Sequence, residues 1–529
     1  MIKKILLYYH TVKYLKLIQV RYQLWYKFRV KWRKGIGFKY QYDKQLPIFE
    51  RVKLSYGLEN SMSYLGKNEF LFLNLKHTFT DKINWDHSEH GKLWTYNLNY
   101  FEFLNQSDSG KWNDRYSEIL RNYVSELPSL KDANEPFPTS LRIINWIKYF
   151  INHDVFEKQL LESLYSQLYI LDDNKEYHLL GNHLLENGFA LIFGGIFFQD
   201  KYLYHQGKSI LIEHLEEQIL NDGGHFELSP MYHCLMLHRV LDSINMLKIN
   251  RALINNTLGN QDQFYEFMQS KAQKMCGWLS SMMYNDGSIP HFNDSTDGIA
   301  LEPNKLLSYA EALGLNFSSN DLDGSGYRRL NNEYFDVIIK AGKIGPDYIP
   351  GHAHADSLSF ESRIENQPFI IDIGISTYDK NAVRQNERST TMHNTVNVKN
   401  KNSSDVWGGF RVGRRANTVI VEEKNNMLEA YHDGYAHVHK RQFILENTYL
   451  SVNDTTDASS ANAVYHFHPD VILEKTLHGI SANKVLISMD GAIETVISEY
   501  QYCLGFNKVS KAQKLTIVFK NNLTTNFYI

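Results

Sequence analysis

Three cysteines in 529 residues, Cys234, Cys276 and Cys503, are too scattered and odd in number for a disulfide scaffold or a CxxC zinc site. An uninterrupted apolar run of about eighteen residues, which a bilayer crossing needs, is also missing. The apolar stretch LIFGGIFF at 191–198 is too short to span, so the chain does not read as an integral membrane protein. A basic excess is lacking too: the formal net charge is −3, which argues against general nucleic-acid binding. No strict repeat period is present, which disfavours a short-repeat solenoid. What is present is 43% hydrophobic and 22% charged residues, enough for at least two sizeable cores.

Charge is unevenly spread. Residues 1–42 hold about eleven Lys and Arg and no acid, so the remainder is acidic by roughly fourteen charges. The opening MIKKILLYYHTVKYLKLIQV starts basic, but Lys13 and Lys16 interrupt its apolar stretch and no small-residue cleavage site follows. That pattern predicts no cleaved signal peptide. To about Arg33 it reads as a basic amphipathic helix rich in Tyr, Trp and Leu. Such a helix packs on the domain behind it, or attaches peripherally to an anionic membrane surface or a polyanionic glycan. Location stays open, with a cytoplasmic or membrane-peripheral place in a bacterium favoured over secretion.

From about 58 to 320, apolar residues recur at three- and four-residue spacing, as in SLRIINWIKYFI (140–151) and YHCLMLHRVLDSINML (232–247), which predicts helix after helix. Ser229-Pro230 reads as a helix entry, Ser as cap and Pro in the first turn. Beyond about 330, short alternating runs such as PFIIDIG, NTVIVEE and KLTIVF predict strands without intervening helices, hence an antiparallel sandwich. The expected organisation is a basic segment (1–45), a helical domain (46–325) and a β domain (326–529), with a long ligand lying in the cleft between the last two.

Three stretches could carry chemistry. In GNHLLENGFA (181–190), helical spacing places Asn182, His183 and Glu186 on one face, where amide, imidazole and carboxylate could neutralise an anion or hold a proton. The alternative is a polar strip bonding neighbouring helices. In ELSPMYH, Tyr232 sits one turn into a helix whose dipole would favour a phenolate, suiting a general base; a half-buried core tyrosine is the plainer reading. In GHAHADSLSF (351–360), His352, His354 and Asp356 alternate along an expected strand and so share a face. Histidines so spaced form a metal or catalytic pair, or a surface pair with no task. Asp372 and His393, in or beside neighbouring strands, could complete a His/Asp/His metal site.

With GNHLLENG, ELSPMYH, DGSIPHFNDS (286–295), GHAHADSLSF, IIDIGISTYD and RSTTMHNTV in this order, the chain from about residue 90 onward resembles the heparinase II/III family of polysaccharide lyases. The resemblance implies an incomplete (α/α) toroid followed by an antiparallel β-sandwich. It also implies β-elimination on a uronic-acid-containing acidic polysaccharide such as a glycosaminoglycan. By position, Asn182 and His183 match the site that neutralises the uronate carboxylate, with Glu186 a third member. Tyr232 matches the tyrosine that protonates the leaving oxygen and, for one epimer, takes the proton; His352 matches the base for the opposite face. His354, Asp372 and His393 match ligands of a structural zinc. Tyr96, Asn97, Arg142, Tyr378, Arg388 and Trp407 would lie toward the substrate. The basic aromatic opening resembles members associated with capsule or exopolysaccharide loci. Two other readings stay open: a glycan-binding or assembly protein without turnover, and a glycoside hydrolase pairing Glu186 with Asp356 or Glu227.

Overall fold

The computed structural model describes residues 2–55 and 57–529. Two helices open the chain, α1 (Ile2–Val12) and α2 (Leu17–Gly35). Where the sequence predicts only helices, a small antiparallel sheet follows: β1 (Tyr64–Gly66), β2 (Glu69–Phe72) and β3 (Leu75–Thr78). Its strands are too short for an alternating pattern to show. They are set by two tight turns, Lys67-Asn68 and Leu73-Asn74, whose residues all have positive φ.

The helical domain runs through α3 (Lys92–Tyr100), α4 (Asn113–Glu126), α5 (Pro136–Asn152), α6 (Lys158–Asp173), α7 (Gly181–Phe197), α8 (Lys201–Gln218), α9 (Pro230–Ile249), α10 (Arg251–Leu258), α11 (Asp262–Met282) and α12 (Pro303–Ala312). In one row α3, α5, α7, α9 and α12 pack successively; in a second, α4, α6, α8 and α11 do so, and hairpins such as α5–α6 and α7–α8 tie the rows together. This is the two-layered, incomplete toroid. The inner helix α7 is apolar nearly all round because it is enclosed on all sides. Every residue in it is buried except His183. The backbones of α7 and α8 touch: a Cβ on Gly195 would lie 2.5 Å from the Tyr204 nitrogen, and one on Gly207 2.7 Å from that of Ile192.

After α12 the chain changes to strands. β4 (Tyr327–Asn331), β5 (Phe335–Lys340), β6 (Phe360–Ile364) and β7 (Gln367–Ile370) pair in sequence order as an antiparallel sheet. A ten-stranded antiparallel sheet is built around the long hairpin Val485–Gly505 and Lys508–Tyr528. Val337, Ile339 and Phe360 of the smaller sheet share one core with Phe443, Val452 and Ile517 of the larger, which makes the pair a sandwich. One expectation fails here. Residues 351–359 are irregular and the strand begins only at Phe360, so His352, His354 and Asp356 do not alternate on a face but turn to three different partners.

Candidate active site

The chain enters α7 through Leu180 (φ 64°) and Gly181 (φ 59°). A Cβ on Gly181 would come within 2.9 Å of Ile349, so glycine is required both for the left-handed backbone and for the close approach. This abrupt entry leaves Asn182 and His183 in the first turn, at the positive end of the helix and on the cleft wall. His183 Nδ1 lies 3.0 Å from Glu176 Oε1. Burial alone would lower the His183 pKa, but Glu176, Glu227 and Glu186 outweigh it and raise it above its ordinary value. With Nδ1–H committed to Glu176, only the cationic ring can also donate from Nε2. Glu186, one turn further in, lies 3.1 and 3.2 Å from Arg239 Nε; burial raises its pKa and Arg239 opposes the rise.

Helix α9 starts as its Ser229-Pro230 pair predicts, the Ser229 hydroxyl accepting from the Tyr232 N–H at 3.2 Å. The Tyr232 ring stacks on His352, centroids 3.8 Å apart and planes 16° apart. Its hydroxyl is 3.0 Å from that of Tyr378. Burial pushes the Tyr232 pKa far up, Asp294 and Glu227 push the same way, and the Tyr378 hydrogen bond opposes them. The phenol is therefore protonated at neutral pH, the form that donates. His352 Nδ1 donates to Glu227 Oε2 at 2.5 Å, which leaves the Nε2 lone pair for a proton. Burial raises the Glu227 pKa, but His352 and neighbouring imidazoles bring it below the usual carboxylate value.

The motif at 286–295 braces these loops. Asn293 Nδ2 donates to the Leu228 carbonyl at 2.8 Å, and the Ser229 hydroxyl to the Asp294 carbonyl at 2.7 Å. The Asp294 carboxylate receives Arg384 on both oxygens, at 2.5 and 2.6 Å, and His354 Nε2 at 2.8 Å. Arg384 in turn lies 5.1 Å from the centre of the Tyr378 ring. A chain of buried contacts thus runs from the β domain to the hydroxyl beside Tyr232.

Asn182, His183, Tyr232, His352, Tyr96 and Tyr378 line a chamber of about 840 Å³. Asn182, Tyr232 and Tyr378 are shared with a second chamber of about 330 Å³, which adds Asn97, Glu186 and Arg239. Asn182, Tyr232 and Tyr378 therefore stand where the two chambers meet, with His183 and His352 on the wall of the larger one. Tyr96 also donates to Glu135. Three expected substrate contacts lie elsewhere. Arg142 is wholly buried among Gln167, Ala133 and Thr139. Arg388 is also wholly buried and holds the carbonyls of Ala353 and Gly409, fixing the segment that carries His352. The Trp407 indole donates to Thr11 of α1 and packs edge-on against Tyr8. The resemblance alone places all three toward the substrate, and for the two arginines burial on internal partners has no sequence signature.

Sequence reasoning also missed Glu176, Asp294, Arg384 and Arg239, and took Glu227 only as a hydrolase carboxylate. Glu227 stands 125 residues from the histidine it orients, so nothing local announces the pair.

Of the expected metal residues, Asp372 and His393 come together behind the cleft with Asp356, whereas His354 lies outside that 4.8 Å group and bonds Asp294 through Nε2. His393 Nδ1 is 2.8 Å from Asp372 Oδ2, and the His354 and His393 rings are 5.1 Å apart. His354 Nδ1 and His393 Nε2 are buried without hydrogen-bond partners. Two orphaned imidazole nitrogens beside a carboxylate suit zinc. Asp356 is a further candidate donor, within 4.8 Å of Asp372 and His393, although both its oxygens lie 2.7 Å from Lys340 Nζ.

The chain is similar to known proteins in sequence and fold. The family model described as Heparinase II/III N-terminus matches residues 24–320, and that described as Heparinase II/III-like, C-terminal matches residues 315–523. A heparin-sulfate lyase of Pedobacter heparinus is 23% identical over 427 residues, 72% of this chain and 62% of that protein. One of Bacteroides stercoris is 23% identical over 317 residues, 54% of this chain and 45% of that protein. The chain therefore spans roughly half to two thirds of the length of these relatives. A crystal structure of heparinase III superimposes with a TM-score of 0.68 at 18% identity, covering 92% of this chain and 87% of that one, which establishes a shared fold. With both family models together spanning residues 24–523, the chain belongs to the heparinase II/III family.

Proposed function

We propose that the protein is a polysaccharide lyase that cleaves a uronic-acid-containing glycan by β-elimination. The observation that carries this reading is the Tyr232–His352 stack, with His352 oriented by Glu227, on the wall of the larger chamber that also bears Asn182 and His183, Tyr232 reaching the junction with the smaller one. The C-5 proton of a uronate is hard to remove because the adjacent carboxylate already carries charge. Asn182 and cationic His183 donate to that carboxylate and lower the cost of the developing enolate-like dianion. His352 Nε2 takes the C-5 proton, the electron pair forms the C4–C5 double bond, and the bond to O-4 breaks. The Tyr232 hydroxyl, held protonated by its burial, gives its proton to the departing oxygen. The heparin-sulfate lyase relatives favour a glycosaminoglycan substrate.

The hydrolase alternative loses its carboxylate pair. Asp356 is wholly buried on Lys340, Glu227 is buried on His352, and Glu186 is buried on Arg239. The test is the ultraviolet absorbance of the conjugated product during incubation with heparan sulfate, hyaluronan, chondroitin, alginate and polyglucuronate. A rise that Tyr232→Phe abolishes supports elimination. Glycan retention without product would favour a binding protein, and saturated ends a hydrolase.

We also propose a structural zinc held by His354, Asp372 and His393. When bound, it supplies a crosslink that steadies the segment leading back to His352. Elemental analysis of dialysed protein lacking any transition metal would refute it.

A peripheral membrane contact is supported by the orientation of α2, which is inverted relative to a core-packed helix. Its buried face is polar: Gln19 donates to the Leu179 carbonyl, Arg29 to Asn174, and Arg33 to Asp173. Its outer face carries Leu17, Leu24, Phe28 and Trp32, which are 88%, 64%, 59% and 52% exposed. Lys27, Lys31 and Lys34 are exposed beside them. Apolar groups pointing to solvent and ringed by lysine suit an anionic lipid surface, each adding about 1.5–3 kcal/mol if fully inserted. Co-sedimentation with phosphatidylcholine vesicles containing phosphatidylglycerol, lost in the Leu24→Glu/Phe28→Glu variant, is the expected result. Equal sedimentation of the variant, or self-association through this face in light scattering, would overturn it.

A further inference from the structure

A second group of histidines lies outside the two chambers, in the small sheet and the loop that leads into α3. His77 projects from β3, and His87 and His90 come from the turn-rich segment just before Gly91 and Lys92. One nitrogen from each of the three rings falls within 4.8 Å of the other two. Ring centroids are 4.0 Å apart for His77 and His87, 5.4 Å for His77 and His90, and 5.3 Å for His87 and His90.

Packing alone leaves this arrangement unexplained. His87 is 4% exposed, and the Nε2 atoms of both His87 and His90 are buried without a hydrogen-bond partner. A buried polar atom left unpaired costs about 1–3 kcal/mol, and two side by side are rare unless something completes them. Trp94 packs against all three rings, at 5.9, 5.0 and 5.3 Å, and walls the group on one side.

We propose that His77, His87 and His90 form a second transition-metal site, suited to zinc. Three imidazoles and no carboxylate select a borderline ion over magnesium or calcium, which require oxygen donors. His77 and His90 retain some exposure and can turn. Small rotations bring the donors to the bond lengths of about 2.0–2.1 Å that zinc takes with imidazole, with water completing a tetrahedron. The ion would clip β3 to the start of α3, the helix that presents Tyr96, Asn97 and Tyr100 to the two chambers. Its role is thus to position one wall of the cleft from outside it.

The test counts metal in the full-length chain loaded with zinc and then dialysed. His77→Gln and His90→Gln should each remove one equivalent per chain, and Asp372→Asn should leave that equivalent in place. The two proposed sites are thereby separated, and failure of one leaves the other standing. Because a substitution can disturb folding, the second measurement uses intact histidines: zinc-edge X-ray absorption on Asp372→Asn protein should show three imidazole nitrogens around the ion. Unchanged zinc content in folded His77→Gln and His90→Gln proteins would overturn the proposal. So would an absorption spectrum of the Asp372→Asn protein without imidazole scattering.

Discussion

Replacing Glu227 by Gln tests the proposed base without touching a group that reaches substrate. The Glu227 carboxylate accepts from His352 Nδ1 at 2.5 Å, so it fixes both the ring's orientation and the tautomer with a free Nε2. A hydrogen bond to a charged group contributes about 1.5–3 kcal/mol, which sets a lower bound of roughly ten- to hundred-fold on the loss of kcat. The upper bound is larger. An amide can present its NH2 to Nδ1, which would place the ring proton on Nε2 and remove the base altogether. General-base catalysis contributes about 10²–10⁴-fold, and the loss should fall toward that range. KM should change less than kcat, because Asn182 and His183 still meet the carboxylate of the proposed substrate and Glu176, the larger influence on the His183 pKa, stays in place when Glu227 is lost. The assay is the initial rate of conjugated-product absorbance on whichever polymer the wild-type protein cleaves, with circular dichroism as the folding control. A Glu227→Gln protein that folds and turns over within about three-fold of wild type would refute the assignment of His352 as an oriented base.

Other expectations follow from neighbouring contacts. Because Glu176 raises the His183 pKa, the cation persists above the ordinary imidazole value, and activity should fall as pH rises through the raised value; Glu176→Gln should move that alkaline decline to lower pH. The stabilising contribution of the pair has the same sense: full below the unfolded imidazole pKa, and lost as pH climbs past the folded one. An identical pH–rate profile for Glu176→Gln would contradict this. Gly195→Ala places a Cβ 2.5 Å from a backbone nitrogen of α8 and should cost about 1–3 kcal/mol, read as a lower melting temperature of the helical signal. Asp294→Ala strands Arg384, a fully buried cation, and should destabilise by about 3–5 kcal/mol; wild-type stability would show that Arg384 finds another partner.

The legible parts of this molecule are those that local periodicity or a compact motif controls. Helices of the toroid announce themselves by spacing and the Ser229-Pro230 entry by its capping chemistry, whereas Asn182 and His183, which the structure puts on the cleft wall, stand out through motif resemblance rather than through their own spacing. The β1–β3 sheet does not, because strands of three or four residues carry no period and depend on positive-φ turns. The supports of the site escape for another reason. Glu227 and His352 are 125 residues apart, Asp294 and Arg384 are 90 apart, and each is an ordinary charged residue in its own segment. Arg142 and Arg388 show the converse: guanidinium groups that looked suited to an anionic substrate are spent on internal partners. The basic groups that do line the chambers include His183, Lys92, Lys380, Arg411 and Arg239, and of these the proposed reaction uses His183, beside Asn182. The cationic state of a single histidine, set by Glu176, then becomes the point at which pH gains control of the proposed reaction.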